Sequence, residues 1–162
     1  MTTPLKPASV LETHMEIRIT GSPEKVWKAL THDIGAWWPE EFYAGGEPDK
    51  RSYQLEAEPG GRMYESWDGG GGVLWGTVVA LDPGRQLQVL GTTFPNWGGP
   101  STWFGTWTLE ADRAETVLTF AESTVGLVSD SAAAEKTQGW SFLFGGALKS
   151  FVEGRPAPAW EA

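Results

Sequence analysis

Residues 13–20 alternate between apolar and polar side chains, which is the pattern of a half-buried β-strand. Met15, Ile17 and Ile19 would share the face toward the core, and the polar side chains between them would face solvent. Gly21 follows directly and ends the alternation. The chain is therefore predicted to open with one strand that buries a single face.

Two short helices are predicted after this strand. Ser22 can cap a helix N-terminus, Pro23 suits the first helical position, and Glu24 suits the positively polarised first turn. Apolar residues continue at helical spacing until Asp33, which can cap a second helix. Pro39 ends that second helix, because its ring cannot continue a helical turn.

A series of short strands separated by turn residues extends from there to residue 124. Glycine, proline and acidic residues in the turns favour tight reversals, so neighbouring strands should pair antiparallel. Gly76 and Gly105 lie beside aromatic residues within two strands, where glycine is typical of a bend or a close approach. The predicted strands are residues 52–57, 61–67, 73–81, 86–93, 102–109 and 115–123.

The last element is predicted to be the longest helix, beginning near Ser129 and ending near residue 153. Its apolar side chains recur at intervals of three and four residues, so one stripe would pack against the sheet. Glycines at 139, 145 and 146 each cost about 1 kcal/mol relative to Ala, and they indicate close packing or room for a pocket. The stripe comprises Trp140, Leu143, Phe144, Ala147, Leu148 and Phe151.

The order of these elements and three groups of residues resemble a known superfamily. The groups are residues 22–31 with 37–39, then residues 60–62, 76–78, 82–83 and Leu87, and finally residues 139–140 with Leu143 and Leu148. Together they resemble the START-like, or SRPBCC, superfamily. Within it, the chain is similar to bacterial proteins related to the C-terminal domain of the activator of heat-shock-protein-90 ATPase. The resemblance covers nearly the whole chain.

The resemblance implies an α+β helix-grip fold of the birch-pollen-allergen type. In that fold a curved antiparallel sheet of six or seven strands surrounds the long C-terminal helix, with two short helices after the first strand. One domain is expected at residues 13–154, with flexible segments at 1–12 and 155–162, although Trp160 could attach the tail to a surface groove. Because this fold hosts lipid carriers, cyclases, hydratases and chaperone cofactors, it implies no single function.

Charge and cysteine content exclude several classes of function. The chain of 162 residues has 12 basic and 21 acidic residues, a net charge of −9 that disfavours nucleic acid and anionic membranes as partners. With no cysteine, disulfides and thiolate ligands are excluded. Residues 1–10 contain no continuous apolar run, so we expect no secretory signal, no membrane insertion and a cytoplasmic location.

No pattern in the sequence predicts a catalytic centre, a metal site or a cofactor. His14 and His32 are the only histidines, and they lie on different predicted elements without zinc-binding spacing. The glycines at 69–72 lack the lysine that follows a phosphate-binding loop. Glu122 is the candidate for acid–base chemistry because it shares a strand face with apolar residues. The alternative is a glutamate at the sheet rim in contact with water.

Ten tryptophans in so short a chain indicate either a core built from indoles or a cavity lined by them. The second interpretation predicts a protein that binds a hydrophobic or aromatic small molecule between the sheet and the C-terminal helix. For each aromatic residue, ordinary core packing is the alternative. The predicted cavity residues are Tyr64, Trp75, Trp103, Trp107, Phe120, Glu122, Trp140 and Phe144.

Two other functions stay open at this point. An enzyme such as a cyclase, hydratase or isomerase would need Glu122, Tyr64 or another polar group inside the cavity with a shifted pKa. A chaperone-cofactor-like protein-binding module would need an exposed apolar patch, for which Trp37, Trp38 and Trp97 are the candidates. The sequence is compatible with a monomer or a homodimer.

Overall fold

The computed structural model describes residues 1–161 and contains a seven-stranded antiparallel sheet. The strands are β1 (Ser9–Thr20), β2 (Arg51–Leu55), β3 (Arg62–Trp67), β4 (Gly71–Asp82), β5 (Gln86–Thr93), β6 (Ser101–Asp112) and β7 (Glu115–Gly126). The helices are α1 (Pro23–Leu30), α2 (Ile34–Trp37), α3 (Asp130–Trp140) and α4 (Lys149–Val152). A π-helical segment, Ser141–Leu148, joins α3 to α4, and these three parts are called the C-terminal helix below.

The strand order is β1-β7-β6-β5-β4-β3-β2, so β2 to β7 form a meander and β1 closes against the last strand. The cross-strand register places Ile17 opposite Leu118 and Trp107 opposite Phe120, which puts large apolar side chains side by side on the inner face. The predicted α+β helix-grip architecture is thereby confirmed, with seven strands and two short helices after the first.

The sheet contains two irregularities in its strand pairing. The register shifts between Met63 and Tyr64 on β3, which leaves Trp75 of β4 as the extra residue, and it shifts again between Val78 and Ala80. A Cβ atom at Gly105 would lie 3.0 Å from the ring of Trp107, so glycine there allows a close approach, as predicted.

The helix starts confirm the predicted caps in part. The hydroxyl of Ser22 accepts a hydrogen bond from Lys25 N–H at 3.3 Å, and the hydroxyl of Ser129 accepts one from Ala132 N–H at 3.2 Å. Asp33 occupies the cap position of α2, but its carboxylate pairs with the side chains of Lys28 and His32. The prediction that Asp33 caps α2 is therefore right in position and wrong in the interaction made.

The C-terminal helix contacts the sheet on a different stripe from the one predicted. Leu143, Phe144, Ala147 and Leu148 are buried as expected, whereas Phe151 is 39% exposed and Val152 is 1% exposed. A π-helical segment makes i→i+5 hydrogen bonds and has more residues per turn than an α-helix, so it rotates the following residues around the axis. Regular helical spacing therefore predicts Phe151 as the last residue of the stripe, whereas Val152 is the buried residue.

Residues of both chain ends contact the rest of the domain. Strand β1 begins at Ser9, and residues 9–12 pair with β7, so the boundary expected at residue 12 falls inside the strand. In the tail, Trp160 packs edge-on against Phe42 at 5.1 Å and against Phe142 at 4.9 Å between ring centroids. Trp160 therefore contacts two aromatic residues of the predicted domain. Within the described residues, no helix is both long and apolar enough to cross a membrane.

The shifted stripe can be tested with two substitutions in α4. Because Val152 is buried, Val152→Ala should lower the free energy of unfolding by about 2 kcal/mol. Because Phe151 keeps 39% of its surface exposed, Phe151→Ala should lower it by less than Val152→Ala does. Urea unfolding followed by tryptophan fluorescence measures both. The reverse ranking would mean that the helix keeps regular α-helical spacing to its end.

Candidate functional site

A cavity of about 570 Å³ opens between the inner face of the sheet and the N-terminal half of the C-terminal helix. Its wall is mainly apolar and rich in aromatic residues, and its uncharged polar residues include Thr93, Asn96, Ser101 and Thr124. The volume lies in the range of small-molecule sites in proteins. The aromatic residues in its wall are Trp38, Phe42, Tyr43 and Trp97 from connecting segments, Tyr53, Trp75 and Trp103 from strands, and Trp140 from α3.

Three of the predicted cavity residues are in this wall: Trp75, Trp103 and Trp140. Trp75 stacks on Trp97 with 4.6 Å between ring centroids, so a strand residue and a loop residue form one part of the wall. Trp103 and Trp140 meet edge to face at 6.4 Å and join the sheet to the helix. All three residues line the cavity, and Trp103, which is 4% exposed, also belongs to the hydrophobic core.

Three other predicted residues, Trp107, Phe120 and Phe144, form a buried cluster beside the cavity and not its wall. Each is at most 1% exposed, and their ring centroids lie 4.9 to 5.8 Å apart. Trp140 contacts both phenylalanine rings and separates this cluster from the cavity. For these three residues core packing, the stated alternative, is what the structure shows.

Tyr64 lies on the outer face of the sheet, so its placement in the cavity was wrong. Its hydroxyl donates to Gln54 Oε1 at 2.6 Å, and the guanidinium of Arg62 lies 4.3 Å from its ring centroid. The neighbours Met63 and Glu65 are 3% and 1% exposed and face inward. Side chains alternate between the two faces of a strand, which excludes all three from sharing one face.

Glu122, the candidate acid–base residue, is buried in an ion pair. Its Oε1 atom lies 2.5 Å from the ammonium of Lys136 and accepts a hydrogen bond from the Thr124 hydroxyl at 2.6 Å. Lys136 lines the cavity and also donates to the Thr124 hydroxyl at 2.8 Å. The pair joins β7 to α3, and it supplies Oε1 of Glu122 with hydrogen-bond partners. Glu122 Oε2 and the hydroxyl of Thr13 directly opposite on β1 have no hydrogen-bond partner among residues 1–161.

Glu65 is a second buried carboxylate, which the sequence analysis did not select. Its Oε2 accepts from Ala44 N–H at 2.8 Å and its Oε1 accepts from the indole N–H of Trp75 at 2.9 Å. Burial raises the pKa of Glu65, although the two hydrogen bonds and Arg51 oppose the shift. Strict alternation with Met63 was the signal that could have identified it as an inward-facing residue.

Aromatic residues from β2 and the preceding segment form the wall nearest Glu65. Trp38 stacks on Tyr53 with 3.8 Å between centroids, and Tyr43 meets Tyr53 edge-on at 6.2 Å. Burial raises the pKa of Tyr53 well above its usual value, and the charge of Glu65 adds to this shift. The phenol of Tyr53 therefore stays neutral at physiological pH and is not a ready proton acceptor.

The apolar loop patch considered for protein binding is only partly exposed. Trp37 is 7% exposed and its indole N–H donates to the carbonyl of Ala29 at 2.7 Å, so it belongs to the core. Trp38 is half-buried, and Trp97 is 40% exposed. The three tryptophans therefore do not form the contiguous exposed surface that this alternative requires.

Two indole groups of the cavity wall keep a free hydrogen-bond donor. The Nε1 atoms of Trp38 and Trp140 are buried and have no acceptor within the described part of the chain. A buried polar group without a partner costs about 1–3 kcal/mol.

The histidines do not contribute to this site. His14 and His32 are exposed, and His32 Nδ1 lies 2.6 Å from Asp33 Oδ1 on the surface. Residues 1–161 contain no group of three or more His, Cys, Asp or Glu side chains placed to hold a metal ion.

With this geometry established, comparison with known proteins identifies the family. The sequence profile described as "Activator of Hsp90 ATPase homolog 1-like protein" matches residues 20–153, which is most of the chain. The chain belongs to this family. The resemblance to the SRPBCC superfamily and its branch related to the ATPase activator is thereby confirmed. Comparison with curated protein sequences gives no match.

Solved structures confirm the helix-grip fold. An uncharacterized protein from Rhizobium leguminosarum is 19% identical, with a TM-score of 0.65 over 93% of this chain and 100% of that chain. Ara h 8.0201 is 17% identical, with a TM-score of 0.66 over 91% and 100%. The Aha1 dimer from Colwellia psychrerythraea is 23% identical, with a TM-score of 0.59 over 88% and 96%. At these identities the likeness shows the fold alone.

The Glu122–Lys136 pair should matter for stability because it is largely buried. Lys136→Met leaves the carboxylate of Glu122 without its counter-ion and should lower the free energy of unfolding by about 3 kcal/mol. Adding Glu122→Leu should restore most of the loss, because both charges are then absent. Lys28→Met, which breaks an exposed pair with Asp33, is the control and should cost less than about 1 kcal/mol. Urea unfolding at neutral pH measures all three; equal losses for Lys136 and Lys28 would contradict the assignment.

The raised pKa of Glu65 predicts a pH dependence of stability. Because the folded state holds this proton more tightly, the contribution of Glu65 is largest below its ordinary pKa of 4.5 and is lost as pH rises through its folded pKa. The free energy of unfolding of wild type minus that of Glu65→Gln should therefore decrease between about pH 4 and pH 7.

Glu153 provides a control of opposite sign. Burial raises the pKa of Glu153, but hydrogen bonds from Thr20 N–H and the Lys149 ammonium lower it by more. The pKa of Glu153 therefore lies below its ordinary value. Its contribution is present above the unfolded pKa and is lost as pH falls, so the corresponding difference for Glu153→Gln should increase with pH. Two slopes of the same sign in urea unfolding would contradict the account of Glu65.

Proposed function

We propose that this protein binds a hydrophobic or aromatic small molecule in the cavity between its sheet and its C-terminal helix. The observation that carries the proposal is the cavity itself, a space of about 570 Å³ with eight aromatic residues in its wall. Apolar walls with a few oriented polar groups are typical of small-molecule sites. The superfamily to which the chain belongs is of the ligand-binding type, which supports the same function.

The polar groups of the wall suit recognition of one or two acceptor atoms in the ligand. The hydroxyls of Thr93 and Ser101 and the side-chain amide of Asn96 line the wall. The ammonium of Lys136 is at the wall and has a donor left after its bonds to Glu122 and Thr124. An otherwise apolar molecule with a carbonyl, ether or hydroxyl oxygen would therefore meet donors in the cavity.

The two rival functions have less support. Of the two residues named for an enzyme, Tyr64 is on the outer face and Glu122 is engaged by Lys136 and Thr124. A protein-binding module would need the patch of Trp37, Trp38 and Trp97, of which Trp37 is in the core. Binding of a small molecule is therefore the function that the geometry supports best.

The test fills the cavity and leaves the fold intact. Ala132 lines the cavity from α3, whereas Ala134 on the same helix is exposed and outside the wall. The neutral fluorescent probe N-phenyl-1-naphthylamine should bind the wild-type protein. Ala132→Phe should weaken its binding by more than about tenfold, because the new ring takes the space of the probe. Ala134→Phe should leave the affinity unchanged.

The two variants give different results if the cavity is the binding site. Loss of probe binding in Ala132→Phe alone supports a ligand site in this cavity, provided that urea unfolding shows both variants folded. Equal effects of the two substitutions, or a wild-type protein that does not bind the probe, would overturn the proposal.

A further inference from the structure

The charges in the cavity wall are not balanced. Glu41 and Glu135 line the cavity, are exposed, and form no ion pair with any residue in 1–161. Lys136 is the basic residue of the wall, but its charge is compensated by Glu122 at 2.5 Å. Two carboxylates therefore face the cavity without a counter-ion. One cation outside the wall, Arg51, lies at the edge of the cavity, and the chain as a whole carries −9.

The aromatic rings of the wall also favour a positively charged ligand. The face of an aromatic ring carries negative potential and attracts a cation within about 6 Å of its centroid. The protein already uses this interaction at the edge of the cavity, where the guanidinium of Arg51 lies 4.2 Å from the centroid of Tyr43. Arg51 is held there by the carbonyls of Glu40 and Gly46 and is not part of the wall.

Glu65 strengthens this preference from behind the wall. Its Oε1 accepts the indole N–H of Trp75 at 2.9 Å, and its Oε2 is held by Ala44 N–H. A carboxylate bound to an indole N–H makes the indole face more electron-rich, which increases its attraction for a cation. Glu65 itself forms no ion pair within the described chain, where its partners are these two N–H groups.

We infer that the cavity selects an organic cation: an amine or quaternary ammonium attached to an apolar or aromatic body. The apolar body would contact the rings of the wall, and the charged end would lie near Glu41 and Glu135. This inference rests on the proposed function and adds to it the charge of the ligand. An anion with the same body meets uncompensated carboxylates and negative ring faces, so it binds more weakly.

The test compares two ligands that share a body and differ in charge. (2-Naphthylmethyl)trimethylammonium and 2-naphthylmethanesulfonate each compete with N-phenyl-1-naphthylamine for the wild-type protein at low salt. We expect the cation to displace the probe at a concentration at least about tenfold lower than the anion. Raising the salt from about 20 to 200 mM should weaken binding of the cation and strengthen binding of the anion. Screening reduces both the attraction of the cavity for the cation and its repulsion of the anion.

Matched variants assign the preference to the cavity. Glu41→Gln with Glu135→Gln removes the two lining carboxylates and should reduce the preference for the cation about fivefold. Glu16→Gln with Glu58→Gln removes two exposed carboxylates outside the wall and should leave the preference within about 1.5-fold of wild type, since distant charges are screened. Trp97→Leu, which removes an exposed ring of the wall, should weaken binding of the cation more than binding of the anion.

Failure of this inference is distinguishable from failure of the proposed function. If the probe binds and is lost in Ala132→Phe, but the anion competes as well as the cation or neither competes, the ligand is not a cation and the binding function stands. If both double variants change the preference equally, the net charge of the protein and not the cavity sets it, and the inference is overturned. If the probe does not bind at all, both proposals fail.

Discussion

The packing of the C-terminal helix against the sheet at one end only is the constraint on which the rest of the structure depends. The π-helical segment buries Leu143, Phe144, Ala147 and Leu148, whereas Gly139 is the buried residue of α3. Apolar contact therefore anchors the second half of the helix and ends at Trp140, which touches the rings of Phe120 and Phe144. Beyond that point α3 stands away from the strands, and the space beneath it is the cavity.

A helix held away from a sheet needs an interaction that fixes its distance. The pair of Lys136 and Glu122 has this geometry, because it joins α3 to β7 through two long side chains and the hydroxyl of Thr124. If position 136 were apolar, hydrophobic attraction would favour closing the helix onto the inner face of the sheet. A buried ion pair adds little net stability, but its geometric requirements can select one arrangement among several. We interpret this pair as the interaction that sets the distance between α3 and β7 and so keeps the cavity open.

The sequence predicted the fold well because its evidence is local. Strand β5 was predicted at its observed limits, residues 86–93, since alternation and turn residues together determine a strand in a meander. Periodicity also predicted correctly that Glu122 shares a face of β7 with apolar residues. It could not separate Trp103 from Trp107, which share a face of β6. Four residues of strand span about 13 Å, enough to place one ring in the cavity and the other in the packed core.

The errors in the candidate site also have physical causes. The π-helical turns depend on packing at i→i+5 spacing, which a 3.6-residue pattern does not encode, so Phe151 was chosen in place of Val152. Tyr64 was predicted to line the cavity, but it faces outward on β3; its neighbour Glu65 carries a carboxylate, which is costly to bury. Glu65 is nevertheless buried, because Ala44 N–H and the Trp75 indole supply both of its oxygens with donors. Burial of a charged group depends on partners that fold next to it from elsewhere in the chain. Such partners become visible only when the elements are assembled, which is why residue type alone misplaces polar groups in an aromatic cavity.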